Sequence, residues 1–259
     1  MLSLREFNTQ YHQTTMPTPY SLSIVKIKIC GLFREEDIDY VNEARPDYCG
    51  FVFAQSKRQV SIEQATHLRR RLADGIVPVG VFIDAPIDDI VALYRNGVIN
   101  IAQLHGSEDE EYIVRLKVKS RNTPIPVVKV IKSEDIRNLA RERGGTGEHG
   151  ERKENKTMEE HGGLINSSAD YYLFDSGAGS GKTFNWDLLS SSYSLLSPSS
   201  FLFEKPWFLA GGIGMDNIEQ AMALNPFGID VSSGAETDGV KDREKILRLT
   251  KIVREGNKG

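Results

Sequence analysis

Cysteine is scarce in this chain: of 259 residues, only Cys30 and Cys49 are cysteines. A secreted domain of this size that is held together by disulfides usually contains more of them. The scarcity therefore argues against a disulfide framework. We expect a reducing compartment, the cytoplasm.

Long apolar runs and an excess of positive charge are also absent. No stretch approaches the roughly 18 consecutive apolar residues that a membrane-spanning helix needs, so we expect no membrane partner. The formal net charge is -4, with acidic and basic residues mixed along the chain. A sequence-independent nucleic-acid groove needs a clustered positive face, so we expect no nucleic-acid partner either. Small molecules remain as the expected partners.

The first 23 residues are polar and lack the apolar segment of a signal peptide. We interpret residues 1–23 as a flexible N-terminal extension. Residues 24–259 then form the folded part, and a content of 39% hydrophobic and 26% charged residues suits a single globular domain.

From Ile24 onward, short β-branched and apolar runs alternate with amphipathic stretches of helical period. This alternation is typical of a parallel sheet covered by helices. The apolar runs end at eight positions, and a helical pattern follows each one: Cys30, Phe53, Ile83, His105, Lys132, Asp175, Gly211 and Ser233. Eight strand–helix pairs predict an α/β fold, a single-domain (β/α)8 TIM barrel. An open doubly wound sheet is the alternative, but it typically has fewer strands.

One segment interrupts the alternation. Residues 141–168 contain almost no apolar side chains and are rich in Gly, Glu and Lys, so we expect a mobile insertion. It lies between the fifth helix and the sixth strand. Such connections lie on the face of a barrel opposite the active site, so we do not expect the insertion to take part in catalysis.

Barrel enzymes place their catalytic groups where the strands end, which draws attention to Cys30 and Asp175. Gly31 follows Cys30 and allows a sharp turn that leaves the thiol at the barrel mouth, although a lone cysteine is more often a small buried hydrophobe. Asp175 follows the apolar residues YYLF, and such surroundings can keep a carboxyl group protonated. The alternative for Asp175 is a turn residue.

Glycine-rich turns after the last two strands predict a phosphate site. Gly211 and Gly212 follow the seventh strand, and Ser233 and Gly234 follow the eighth. Their backbone N–H groups lie where barrels usually bind phosphate.

The stretch GAGSGKT, residues 177–183, suggests a nucleotide-binding P-loop, but its glycine spacing is wrong. We interpret it as an active-site loop that contains Lys182.

Several separated motifs occur in an order that resembles one family. They are KICG at residues 28–31, GFVFAQSKRQV at 50–60, QLHG at 103–106, LFDSGAGSGKTFNW at 173–186, FLAGGI at 208–213 and DVSSGAE at 230–236. Together they are similar to phosphoribosylanthranilate isomerase. The resemblance implies a cofactor-free and metal-free Amadori rearrangement of N-(5-phosphoribosyl)anthranilate to 1-(2-carboxyphenylamino)-1-deoxyribulose 5-phosphate, a step of tryptophan biosynthesis.

The resemblance also implies roles for individual residues. Asp175 matches the family's general acid, Cys30 its general base, and Arg58 the arginine that pairs with the anthranilate carboxylate. His105 and Asp230 are expected to line the substrate pocket. The phosphate would bind at the glycine-rich turns. Whether the enzyme is a monomer or a homodimer stays open.

Two other functions remain as alternatives. A related phosphate-binding barrel could act on another ribosyl substrate, but such relatives generally use two carboxylates, whereas the first strand here ends in Cys30. A catalytically silent barrel could bind a phosphorylated metabolite, but the presence of both Cys30 and Asp175 argues against it.

Overall fold

The computed structural model describes residues 24–120, 123–132, 167–175 and 205–258. Within them, eight parallel strands form a closed barrel in chain order. The strands are β1 (Lys26–Cys30), β2 (Tyr48–Val52), β3 (Val77–Phe82), β4 (Ile101–Leu104), β5 (Val127–Lys132), β6 (Tyr171–Asp175), β7 (Trp207–Leu209) and β8 (Gly228–Val231). The predicted (β/α)8 barrel is thereby confirmed.

Helices cover the barrel between the strands. Those in the described ranges are α1 (Glu35–Ala44), α2 (Ile62–Arg71), α3 (Ile87–Arg95), α4 (Glu110–Lys119), α5 (Ile218–Ala223) and α6 (Arg243–Gly256). Three of them begin at a side chain that accepts a hydrogen bond from a backbone N–H of the first turn: Ser61, Asp109 and Asp242. The helical segments predicted after the strands that end at Lys132 and Asp175 lie outside the described residues, as do Lys182 and most of the predicted insertion.

The barrel closes where β1 pairs with β8. Ile27 lies opposite Ile229 and Lys28 opposite Asp230. Beyond β8, a 3-10 turn (Ser233–Ala235) leads into a two-stranded antiparallel ribbon of β9 (Glu236–Thr237) and β10 (Val240–Lys241). The closure therefore brings the end of β1 next to the loop and ribbon that follow β8.

The core has two parts. The larger cluster packs the outward-facing strand residues against the helices and includes Ile27, Ile29 and Leu249. A smaller cluster inside the barrel includes Phe208, and Tyr48 and Phe227 pack against it with ring centroids 5.5 and 5.3 Å from that of Phe208. These rings come from near the starts of their strands, so they fill the amino-terminal end of the barrel. Polar groups can then occupy the carboxyl-terminal end.

Several strands end one or two residues before the predicted end. β2 ends at Val52 rather than Phe53, and β8 ends at Val231 rather than Ser233. Phe53 still packs against the core beyond the last paired residue of its strand, whereas Ser233 is exposed, so composition alone does not mark where the backbone pairing stops. At the predicted insertion, Ser167 is buried, and its carbonyl accepts a hydrogen bond from Lys205.

No helix in the ranges that the structure describes combines the length and apolar character needed to cross a membrane.

The two ends of the folded part are joined by one side chain. The amide of Asn257 accepts a hydrogen bond from the Val25 N–H at 2.8 Å and donates one to the Val25 carbonyl at 2.9 Å. We expect Asn257→Ala to lower the free energy of unfolding by about 1–2 kcal/mol, because both backbone groups lose their partner in a part-buried place. Urea unfolding measures this loss. The exposed Asn96→Ala is the control, and an equal effect of the two substitutions would contradict the assignment.

Candidate active site

Cys30 lies at the end of β1, with its side chain buried at the mouth of the barrel. Gly31 has a φ of 84°, and the N–H groups of Gly31 and Leu32 both donate to the Gly50 carbonyl. The thiol fits here because residue 50 is a glycine: a Cβ at Gly50 would lie 2.7 Å from the Cys30 Sγ. The thiol therefore has a defined position beside β2.

A buried polar network lies directly below this thiol. The Lys28 ammonium donates to Asp230 Oδ2 at 2.8 Å and to Gln103 Oε1 at 2.9 Å, and all three residues are buried. Lys28 and Cys30 are two residues apart on one strand and so share a face. Burial lowers the pKa of Lys28, but the negative charges of Asp230 and Cys30 and the hydrogen bonds to them together outweigh it and raise this pKa to about 12. Lys28 is therefore a cation beside the thiol.

The surroundings of Cys30 act on its pKa in opposite directions. Burial raises the pKa of the thiol, the Lys28 and Lys241 cations lower it, and the Asp230 carboxylate raises it, with a net rise above the ordinary value. In the resting protein Cys30 is thus a thiol at neutral pH. The two lysines are the groups that favour the thiolate.

This balance predicts how Cys30 reacts with iodoacetamide. Because a raised pKa keeps the group protonated at neutral pH, we expect slow alkylation at pH 7 and a rate that grows about tenfold per pH unit until beyond pH 9. Mass spectrometry of the modified peptide follows the rate. In Cys30→Ala only Cys49 remains, and burial raises its pKa to about 12, so this variant gives the background. A rate that levels off near pH 7 would contradict the prediction.

Asp175 and His105 lie together at the mouth. Asp175 is the last residue of β6, and His105 follows β4. The His105 Nε2 lies 3.3 Å from Asp175 Oδ2, and both side chains are partly exposed. Strand β6 is three strands from β1 around the barrel by way of β8 and β7. Cys30 and Asp175 therefore approach the mouth from well-separated strands, as an acid and a base acting on two atoms of one substrate would.

Arg58 lies in the loop after β2 and is not a free surface charge. Its Nε and Nη2 donate to the two carboxylate oxygens of Glu236 at 2.5 and 2.8 Å. The buried Lys241 ammonium donates to the same carboxylate at 2.7 Å. Burial opposes ionisation of Glu236, but the hydrogen bonds from Arg58 and Lys241 outweigh it and lower the pKa of Glu236 to about 2. The three charges form one cluster beside Cys30, in which Glu236 and Lys241 are buried and Arg58 is partly exposed.

The two glycine-rich turns lie against each other. Gly211 and Gly212 both have positive φ, 95° and 65°. Gly234 packs on the turn after β7, because a Cβ at Gly234 would lie 2.7 Å from the Gly214 Cα and collide with the Ile213 carbonyl. Among the described residues, no hydrogen bond uses the N–H of Gly212 or Gly234. Such groups, side by side at the ends of β7 and β8, suit a phosphate.

Gly234→Ala tests the contact between the two turns. The added methyl group must push the Ile213 and Gly214 backbone away, so we expect a rise of about tenfold or more in the dissociation constant for inorganic phosphate. Isothermal titration calorimetry measures this constant. Gly75→Ala is the control for a methyl group added without a collision, since its added Cβ would contact nothing within 4 Å. Unchanged phosphate binding in folded Gly234→Ala would contradict a role for this contact.

The sequence interpretation did not assign four of the residues that the fold brings to the site: Lys28, Gln103, Glu236 and Lys241. Lys28 could have been found, because it shares a strand face with Cys30. Glu236 and Lys241 have no local signal that pairs them with Arg58, which is far away in the chain. Asp230, predicted to line the pocket, lies within β8 and is paired with Lys28.

Within the described ranges, no cluster of three or more His, Cys, Asp or Glu side chains could hold a metal ion.

A closed (β/α)8 barrel with a thiol, a carboxyl group and two apposed glycine-rich turns at its mouth belongs to the class of phosphate-binding barrel enzymes. The comparison with protein families narrows the class. Residues 27–148 and 153–252 match the family described as N-(5'phosphoribosyl)anthranilate (PRA) isomerase. This chain belongs to that family, whose members act in tryptophan biosynthesis.

Individual proteins agree with this match. The N-(5'-phosphoribosyl)anthranilate isomerase of Endomicrobium trichonymphae is 43% identical over 236 residues, which cover 88% of this chain and 98% of that protein. The solved structure of the isomerase from Thermotoga maritima is 28% identical, covers 89% of this chain and 99% of its own, and has a TM-score of 0.67.

Two further solved structures bear on ligand and assembly. One is a phosphoribosylanthranilate isomerase in complex with reduced 1-(o-carboxyphenylamino)-1-deoxyribulose 5-phosphate; it is 27% identical, covers 89% of this chain and 99% of its own, and has a TM-score of 0.65. The other shows monomers generated from the dimeric Thermotoga maritima enzyme, with 28% identity, coverage of 90% and 99%, and a TM-score of 0.65.

Proposed function

We propose that Cys30 and Asp175 are the base and the acid with which this isomerase converts N-(5'-phosphoribosyl)anthranilate to 1-(2-carboxyphenylamino)-1-deoxyribulose 5-phosphate. The observation that carries this proposal is the placement of one thiol and one carboxyl group at the mouth of a closed barrel, on strands separated by β7 and β8. The two groups can then act on different atoms of the same ribose.

The reaction begins at the ring oxygen of the ribose. Asp175 donates a proton to this oxygen, the bond between the oxygen and C1 breaks, and the nitrogen lone pair forms a C1–N double bond. The product is an open-chain iminium ion. The nearby His105, whose Nε2 lies 3.3 Å from Asp175 Oδ2, contacts the carboxyl group and so orients it.

The second proton transfer takes place at C2. The iminium ion makes the C2 proton acidic, and the Cys30 thiolate removes it, so that the electrons of the C–H bond form a C1–C2 double bond and those of the C–N double bond return to nitrogen. The enolamine then tautomerises to the ketone. Because Cys30 is mainly a thiol before the substrate binds, the positive charges of Lys28, Lys241 and the iminium ion favour the reactive form.

The remaining groups hold the substrate. Arg58 pairs with the anthranilate carboxylate, for which its planar guanidinium suits both charge and shape. Asp230 Oδ1 is buried without a hydrogen-bond partner among the described residues, and we assign it to a ribose hydroxyl. The turns at Gly211, Gly212, Ser233 and Gly234 bind the phosphate. The chemistry requires no cofactor and no metal.

The assembly and the compartment are part of the same proposal. The dimeric relative from Thermotoga maritima supports a homodimer, and the monomers generated from it support a barrel that also folds as a monomer. The low cysteine content supports the cytoplasm.

The roles of the acid and the base are tested by Cys30→Ala and Asp175→Asn. We expect each substitution to lower kcat by about 1,000-fold or more while the barrel stays folded, because neither new side chain can transfer the proton. The assay follows the loss of anthranilate-type fluorescence as freshly generated phosphoribosylanthranilate is consumed. Circular dichroism and phosphate binding report the fold.

Cys49→Ala is the matched control, since Cys49 is the other cysteine and packs in the larger core cluster between the strands and the helices. We expect it to retain activity per folded molecule. Near-normal turnover by Asp175→Asn or Cys30→Ala would overturn the assigned roles. No turnover by the folded wild type would favour another ribosyl substrate or a silent binding barrel.

A further inference from the structure

Glu236 is the centre of the charge cluster at the barrel mouth. Its carboxylate receives hydrogen bonds from Arg58 and Lys241, and the exposed Lys57 ammonium lies 3.7 Å away. Only 4% of the Glu236 side chain is exposed. The residue comes from β9, and its own carbonyl accepts a hydrogen bond from Lys245, so both its backbone and its side chain are held.

The guanidinium of Arg58 has two edges that can each bind a carboxylate in bidentate fashion. Glu236 occupies the edge formed by Nε and Nη2. Within the described part of the chain, Nη1 donates no hydrogen bond, and Nη1 belongs to the second edge. The Arg58 stem crosses Gly31, next to Cys30, where any Cβ would collide with it. The second edge is thus available beside the base.

Charge in the cluster also favours a second carboxylate. Apart from the exposed Lys57, the cluster contains the cations Arg58 and Lys241 and the anion Glu236, which leaves one positive charge in excess. The Lys241 ammonium is fully buried and also donates to the Ser232 carbonyl at 3.0 Å. Because Lys241 offsets Glu236, the pairing of Arg58 with Glu236 does not cancel the attraction of Arg58 for a substrate anion.

We propose that Glu236 is a positioning residue that holds the Nε–Nη2 edge of Arg58, so that the remaining edge binds the carboxylate of the anthranilate ring, with Lys241 preserving the positive charge. This rests on the function proposed above and adds a specificity determinant to it. The cluster selects substrates with a carboxylate on the aromatic ring, whereas the glycine-rich turns bind the phosphate independently of it.

The experiment compares Glu236→Gln with the wild type in steady-state turnover of phosphoribosylanthranilate. We expect KM to rise about tenfold or more and kcat to change less than about threefold, because a charge-assisted bidentate contact is lost away from the reacting atoms. The inhibition constant of reduced 1-(o-carboxyphenylamino)-1-deoxyribulose 5-phosphate should rise equally. The dissociation constant of inorganic phosphate, which lacks the ring carboxylate, should not change.

Glu43→Gln is the matched control, since Glu43 also pairs with both Nε and Nη2 of an arginine, Arg243, but at an exposed place between α1 and α6. It should leave all three constants unchanged. In an Arg58→Met background, Glu236→Gln should have no further effect on KM, because Glu236 acts through Arg58. An additive effect in the double variant, or an unchanged KM in Glu236→Gln, would overturn the proposal.

A second variant covers the case in which Glu236→Gln fails to fold, since this substitution leaves the buried Lys241 and the partly exposed Arg58 without their anion. The double variant Glu236→Gln/Lys241→Met restores the net charge of the cluster. We expect it to fold with KM still raised, since Arg58 has lost its support although the charge is unchanged; a normal KM would refute positioning. Absence of turnover and of inhibitor binding in the wild type would instead refute the proposed function, so the two failures are distinguishable.

Discussion

The hydrogen-bonded pairing of β1 with β8 is the interaction on which the rest of the structure depends. It closes the barrel, and its register sets Lys28 opposite Asp230. The same closure brings Cys30, at the end of β1, next to the loop and ribbon after β8, which supply Gly234, Glu236 and Lys241. An open sheet would leave β1 and β8 at opposite edges, and the groups on β1 could not meet those on β8 and in the ribbon after it.

Barrel closure buries several charged side chains, which is unfavourable unless each charge is paired. Lys28, Asp230, Glu236 and Lys241 are all buried, and removing one partner of such a pair generally costs 3–5 kcal/mol. Each charge is therefore paired and hydrogen-bonded. The result is a mouth in which two cations, Lys28 and Lys241, lie beside a thiol that burial keeps protonated, and these cations favour its ionised form.

The two ends of the barrel are packed differently: one end contributes to stability and the other holds the groups of the proposed reaction. Aromatic rings from β2, β7 and the loop before β8 fill the amino-terminal end. At the other end, glycines make close approach possible: Gly50 beside the thiol, Gly31 under Arg58, and Gly234 against the turn after β7. A methyl group at these places would displace the thiol, Arg58 or the backbone of the neighbouring glycine-rich turn.

The sequence by itself determined the fold class, the strand ends that carry Cys30 and Asp175, and the glycine turns, because hydrophobic period and loop composition are local properties. It also showed the family through its separated motifs. Only the tertiary structure decided that Arg58 pairs with Glu236, that Asp230 pairs with Lys28, and that the Cys30 pKa is raised. These depend on burial and on contacts between residues up to 202 positions apart, which barrel closure creates and no local pattern records.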